Sequence, residues 1–218
     1  MYREGLSSQK LWILIGNKNK ISDLNWDDAL SKINIGHTLE KPKTLFDKLL
    51  IEDFMAEEDI FSNIDLRTAK IIDVKDHPDA EKLLILQIDL GQIGQRVIVA
   101  GIKKYYSKDE LKGKNIVVVT NLKPAKIRGI QSNGMLLAAT DSKGVVSLID
   151  PNDAKPGSRV FIDDISFKPE NVVEFDKFQQ IKMFVDEKQQ IVYNNKILKS
   201  ETGPVKSDKL VEKGSTVS

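Results

Sequence analysis

Residues 121–135, Asn-Leu-Lys-Pro-Ala-Lys-Ile-Arg-Gly-Ile-Gln-Ser-Asn-Gly-Met, contain three cations and no acid. Lys123, Lys126 and Arg128 lie between two apolar runs of β type, residues 116–119 and 135–139, which places the charge at the rim of a sheet. Phosphate groups are the natural partner of such a rim, because neutralising them releases condensed counterions. Taken alone, a short basic cluster is more often a plainly solvated loop. Lys126 and Arg128 share parity across Ile127, so an extended segment would project both to one side as a two-pronged clamp. Pro124, which lacks a ladder donor, suits an edge. Asn121 and Ser132 each offer a donor and an acceptor, while Met135 is either an apolar surface for a ribose or base, or a core side chain. Upstream, Arg67 and Lys70 have opposite parity. They serve one face only if a bulge intervenes, and otherwise read as solvated residues.

This pattern points to binding, not to catalysis. The carboxylates are plentiful but dispersed, without a nucleophile–base pair among them. The absence of cysteine excludes disulfides, thiolate nucleophiles and Cys-built zinc sites. His37 and His77, beside Gly36 and Pro78, read as loop residues, and neither a metal nor a cofactor is expected. With 33 basic and 32 acidic side chains the formal charge is +1, so any affinity for nucleic acid has to come from a local patch. No apolar run reaches signal-peptide or membrane-span length, which leads to the expectation of a cytoplasmic protein without membrane contact.

The elements that must position these residues are mostly strands. In the 218-residue chain, 40% of it apolar, three stretches are expected: a helical segment or linker over 1–60, a barrel over 61–164, and a small α/β subdomain with a loose tail over 165–218. Helical spacing of Trp26, Ala29, Leu30 and Ile33, and of Phe46, Leu49, Leu50 and Phe54, predicts two short amphipathic helices. From Ile64 the period changes to two. Leu84, Leu86, Ile88 and Leu90 alternate with Gln87 and Asp89, and short apolar runs follow at 97–99, 116–119, 135–139, 145–149 and 160–162. Many short strands at close spacing argue a small closed barrel, with residues 102–111 suiting the short helix that an OB-fold often inserts before its fourth strand. The fold class is therefore mainly β: an OB-fold barrel with a small α/β C-terminal subdomain and a short helical N-terminal segment. The apolar residues between Phe167 and Leu198, with Phe167, Phe175, Phe178 and Phe184 prominent, are too many to leave in water and must cover something.

Residues 64–71 (Ile-Asp-Leu-Arg-Thr-Ala-Lys-Ile), 77–83 (His-Pro-Asp-Ala-Glu-Lys-Leu), the Asn121-Leu122-Lys123-Pro124 to Arg128-Gly129 stretch, and Ser132-x-Gly134-Met135 follow one another as four separated motifs. In that order they resemble the tRNA-binding domain of the endothelial monocyte-activating polypeptide family, which is appended to methionyl- and tyrosyl-tRNA synthetases and to their auxiliary proteins. The resemblance implies an OB-fold, a tRNA partner, and contacts through Lys123, Lys126, Arg128, Asn121, Ser132, Met135, Arg67 and Lys70. Residues 25–55, with Ile35-Gly36-His37-Thr38 and Pro42 to Phe46, resemble the end of the anticodon-binding domain of methionyl-tRNA synthetases. That makes an aminoacyl-tRNA synthetase, the methionyl enzyme in particular, the expected protein partner. Lys168-Pro169, Tyr193-Asn194-Asn195 and Gly203-Pro204-Val205 resemble the extra C-terminal subdomain of animal-type members, with Phe175 where Trp is usual, and this subdomain implies a monomer. The ATP-binding signatures of a synthetase are absent. The expected function is a non-catalytic module that delivers or retains tRNA for a synthetase, in cis or in trans. The alternatives are a scaffold protein of a synthetase complex and a secreted cytokine-like polypeptide.

Overall fold

The computed structural model describes residues 59–218, all of them within one compact unit, Ala56–Ser218. The helices expected near Trp26 and Phe46, and the motif at Gly36-His37, lie outside the described residues. In chain order the barrel comprises β1 (Leu66–Asp76), β2 (Leu84–Asp89), β3 (Gln95–Ala100), a one-turn helix α1 (Lys108–Leu111), β4 (Asn115–Val119), the hairpin of β5 (Ala125–Ile127) and β6 (Ile130–Ser132), β7 (Met135–Leu136), β8 (Ala138–Thr140), β9 (Val146–Asp150) and β10 (Arg159–Val160). The main sheet runs β3-β2-β1-β4-β7, with β10 also on β1. It closes on itself where the Asn133 N–H donates to Val97 O (2.9 Å) and Ser132 Oγ accepts from the Val99 N–H (3.0 Å). The register slips between Ile71 and Asp73, the kind of bulge that bends a strand around a barrel.

Period-two alternation fills the interior. Ala69 and Ile71 of β1, Leu84, Leu86 and Ile88 of β2, Ile98 of β3, Ile116 and Val118 of β4, and Leu148 of β9 form one core, which Ile102, Tyr106 and Leu111 join from the β3–β4 connection. The helix expected over 102–111 is confined to its last turn. A capping box, in which Ser107 Oγ accepts from the Glu110 N–H and Glu110 accepts from the Ser107 N–H, sets its start at residue 108. Residues 102–106 form turns that bring Ile102 and Tyr106 inward.

The run 135–139 is two strands, because its pairing partner changes. β7 pairs with β4, whereas β8 pairs with β9 and with the chain's last strand. That last strand belongs to the C-terminal region, which follows a one-turn helix α2 (Phe175–Phe178) and contains β11 (Met183–Val185), β12 (Ile191–Tyr193), β13 (Lys196–Ile197), the pair β14 (Lys199–Ser200) and β15 (Gly203–Pro204), β16 (Lys206–Ser207) and β17 (Thr216–Val217). A single sheet of order β13-β12-β11-β17-β8-β9-β16 runs from this region into the barrel. A second core lies between them. Leu66, Val117, Val119, Leu137, Ala139 and Ile149 of the barrel's outer face meet Val173, Ile181, Met183, Val185, Ile191, Leu198, Val205 and Val217.

The cover is thus mostly aliphatic, not the phenylalanine set expected from the sequence. Phe178 is buried, but Phe175 and Phe184 are 48% and 39% exposed. Alternation explains Phe184, since Met183 and Val185 on either side of it face the core. The tail from Ser207, expected to be loose, is held at several points. The Asp208 carboxylate accepts from the Tyr106 hydroxyl (3.0 Å) and from Lys114 Nζ (2.6 Å), Lys209 Nζ lies 3.7 Å from the Tyr106 ring centroid, and Val217 pairs with Ala139. Of the two apolar residues singled out there, Val211 is buried while Leu210 is 83% exposed.

Two outcomes follow from these two cores. Removing residues 165–218 would bare the outer face of β4, β8 and β9, so the full chain should sediment as a monomer and the truncated chain should associate or precipitate; a soluble truncated monomer would contradict this. Burial, reinforced by Asp208, pushes the Tyr106 phenol up to about 12, and burial with Asp59 does the same for Tyr193. An unfolded tyrosine ionises near pH ~10, so the stabilisation is complete below that pH and is lost as the pH climbs towards about 12. Alkaline melting curves should fall steeply in that window. Tyr106→Phe should flatten part of the fall and cost about 1–3 kcal/mol at neutral pH, because the buried Leu148 N–H, which donates to the hydroxyl at 2.9 Å, loses its partner.

Candidate nucleic-acid interface

The basic segment forms a hairpin, not an extended strand. Ala125 pairs with Ser132, Lys126 with Gln131 and Ile127 with Ile130, and the two-residue turn is Arg128-Gly129, with φ of 47° and 92°. Two successive positive φ values are the mark of a type I′ turn, whose twist matches that of its strands. The parity argument for Lys126 and Arg128 therefore fails. Arg128 sits on the turn, one step beyond the strand that carries Lys126. Both side chains are exposed and lie without an acidic partner among the described residues. The hairpin is anchored by His77, a loop residue as expected, but a buried one. Its Nε2–H donates to Ile127 O (3.3 Å) while Nδ1 accepts from the Asp79 N–H (3.1 Å), a set of partners that calls for the Nε2–H tautomer.

Several other residues expected to meet a ligand are spent on architecture. The Asn121 amide donates to Asn63 O (2.8 Å) and Glu170 O (2.9 Å) and accepts from the Asp65 N–H (2.9 Å), tying three segments together. Ser132 is buried, its hydroxyl donating to Gly134 O (2.9 Å) and accepting from β3. Met135 is half-buried against the second core. Gly134 between them has φ of 148°, and a Cβ there would lie 2.9 Å from Val119 O, so the Ser-x-Gly-Met spacing is a packing requirement. Arg67 donates to Asp65 (2.7 Å) and to Gly157 O (3.2 Å). Across from it Arg159 lies over the Phe167 ring (3.8 Å to the centroid), and burial and the Arg67 charge depress its pKa. Lys70 remains exposed, opposite Asp89 and Asn115 in the sheet.

Lys123 is bound to the C-terminal region. Its Nζ meets Glu174 at 2.7 Å, its N–H donates to Val173 O (2.8 Å), and the Val173 N–H donates to Asn121 O (2.8 Å). Beside this seam lies a groove of about 580 Å³, lined by Gln87, Gln95, Arg96, Asn133, Asn171 and Val172 together with the start of the basic segment, Thr120 to Leu122 and Pro124. Arg96 Nη1 donates to Thr120 O (2.5 Å), and Thr120 in turn donates to the Asp65 carboxylate (2.8 Å). Sequence reasoning missed the groove residues outside the basic segment. The available signal was the alternation that turns Gln87 outward between the buried Leu86 and Ile88.

Residues 66–159 match the family model described as "Putative tRNA binding domain". Residues 66–159 are a domain of that family. A stretch of 100 residues is 50% identical to a methionine–tRNA ligase of Thermococcus onnurineus, covering 46% of this chain and 14% of that ligase. A longer match, 32% over 188 residues, links 69% of the chain to 27% of the methionine–tRNA ligase of Methanococcoides burtonii. The chain thus spans well under a third of the length of these curated relatives. The crystal structure of the C-terminal domain of Plasmodium vivax p43 is similar at a TM-score of 0.67 and 25% identity, over 74% of this chain and 99% of that domain. The tRNA-binding domain accordingly has its anchored basic hairpin and its polar groove side by side, with Lys123 held by an acid at their junction. An exposed ion pair is worth about 0.2–1 kcal/mol, and a phosphate approaching Lys123 would compete with Glu174 for its charge. Glu174→Gln should therefore raise affinity for tRNA about two- to five-fold at low salt, with the gain vanishing at high salt. Filter-binding titrations at two salt concentrations check this, and unchanged affinity would mean that Lys123 stays outside the contact.

Proposed function

We propose that this chain is a non-catalytic module that holds tRNA for an aminoacyl-tRNA synthetase, with residues 61–164 as the RNA-binding part and residues 165–218 as its cover. The observation that carries the reading is the pair Lys126 and Arg128, two exposed cations on a hairpin anchored by His77 and starting one residue after the groove-lining Pro124. Lys123 joins them once Glu174 is displaced, and Lys70 is a further candidate phosphate contact. The mechanism is multivalency: a grip on the RNA backbone, directed by shape and charge, raises the effective concentration of tRNA at a catalytic partner without adding chemistry of its own. The ligase relatives favour methionyl-tRNA synthetase as that partner, acting in cis or in trans. A cytoplasmic, monomeric protein belongs to the same reading. No helix among the described residues is long and apolar enough to cross a membrane.

With three to five phosphates neutralised, log K against log salt should slope by about −2 to −4.5. Replacing Lys123, Lys126 and Arg128 together by Ala should weaken all tRNAs about equally and flatten the slope by about 2, with the melting curve unchanged because these side chains lie on the surface. Binding by residues 59–218 alone separates this reading from a scaffold role in a synthetase complex. A slope near zero, or a triple variant that binds like the parent, would overturn it.

A further inference from the structure

We propose that the C-terminal segment Glu170–Glu174 is itself part of the RNA site. With the outer edge of β2 and β3 it makes the groove a receptor for one unpaired nucleotide, whose base edge Asn171 reads. The proposal rests on the RNA-binding reading above and adds to it a site that recognises a base rather than a phosphate.

The segment is held on both sides of its two groove residues. Asn121 donates to Glu170 O on one side, and Val173 exchanges backbone hydrogen bonds with Asn121 and Lys123 on the other. Val173 is fully buried and does the work of a cover. Asn171 and Val172 do none of it. Asn171 is exposed and its amide has no partner among the described residues, while Val172 is 53% exposed. Both nevertheless line the groove, on a backbone held at Glu170 and Val173.

The opposite wall is complementary in kind. Gln87 Nε2 donates to Gln95 Oε1 (2.9 Å), which orients the two amides and leaves the Gln87 oxygen and the Gln95 NH2 unspent. Arg96 uses one Nη on Thr120 O and Asn133 O and keeps its remaining donors. The groove therefore presents amide donors and acceptors from two sides, a cation at Arg96 and an apolar contact at Val172. A nucleobase needs that set, since its edge carries donors and acceptors in a plane and its faces are apolar. A volume of about 580 Å³ falls in the range of sites that enclose one small organic group. Paired bases in an RNA duplex turn one edge into a deep, narrow groove that side chains do not enter and the other into a wide, shallow one that offers no single base to a two-walled groove, so the occupant is a nucleotide outside a helix.

The test compares two probes on the full chain: a fluorescent eight-nucleotide single-stranded RNA and a blunt RNA duplex with the same number of phosphates per strand. Asn171→Ala, and separately Gln95→Ala on the facing wall, should each weaken the single strand about five- to ten-fold. The duplex affinity, the salt slope and the melting temperature should stay as in the parent. Two variants on different elements guard against a local folding defect in either one. Equal losses on both probes, or no loss on the single strand, would overturn the proposal while leaving salt-dependent tRNA binding intact. A parent chain that binds neither probe nor tRNA would overturn the RNA-binding reading and this inference together.

Discussion

The two-sided burial of β4 is the constraint on which the remaining architecture depends. Ile116 and Val118 face the barrel interior, Val117 and Val119 face the second core, and all four are fully buried. Each contributes roughly 1.5–3 kcal/mol by leaving water, so a barrel that lost either core would forfeit a large part of a domain's net stability. β4 leads without a break into Thr120, Asn121 and Lys123. The position of the basic rim is therefore set by a strand that has no freedom to shift.

The cover and the candidate site are in consequence parts of one object. The same Val173 that fills the second core hydrogen-bonds to both sides of Leu122, and it places Asn171 in the groove and Glu174 against Lys123. An acid in a cationic rim is unfavourable for RNA in the Coulomb sense. Yet an exposed ion pair is weak, and exchanging it for a phosphate also releases counterions, so under the proposed reading Glu174 would moderate the attraction without abolishing it.

Much of the fold was legible in the sequence, for identifiable reasons. The alternation from Leu84 to Leu90 gave a strand with one buried face, and the near-continuous apolar runs at 116–119 and 135–139 carried the mark of burial on both faces. The basic stretch was legible as a rim because it lies between two apolar runs and carries Pro124, though as an extended segment and not as a hairpin. What failed was inference about direction. Spacing does not say whether an amide or hydroxyl points outward, so Asn121 and Ser132 read as ligand contacts although every hydrogen bond recorded for them serves the chain itself. Arg128 was misplaced because parity holds only within a strand, and a turn intervenes. The groove was invisible because its walls come from residues 87, 95, 96, 133 and 171, which only the closed barrel and its cover bring together.

Two kinds of residue are therefore mixed within the four motifs that suggested RNA binding. Asn121, Ser132, Gly134 and His77 shape the rim from within: one ties three segments, one joins β6 to β3, one allows a close backbone approach, and one holds the hairpin. Lys126 and Arg128 face outward and hold nothing together. Replacing Asn121, Ser132 or His77 removes a buried or partly buried hydrogen bond, at about 1–3 kcal/mol, and replacing Gly134 drives a Cβ against Val119 O; either change moves the cations as well, so affinity and stability fall together. Replacing one of the second kind touches only the charge. Affinity alone cannot tell the two apart, whereas affinity read beside the melting temperature can, and the motif spacing is best understood as the geometry that lets a few free cations act at one rim.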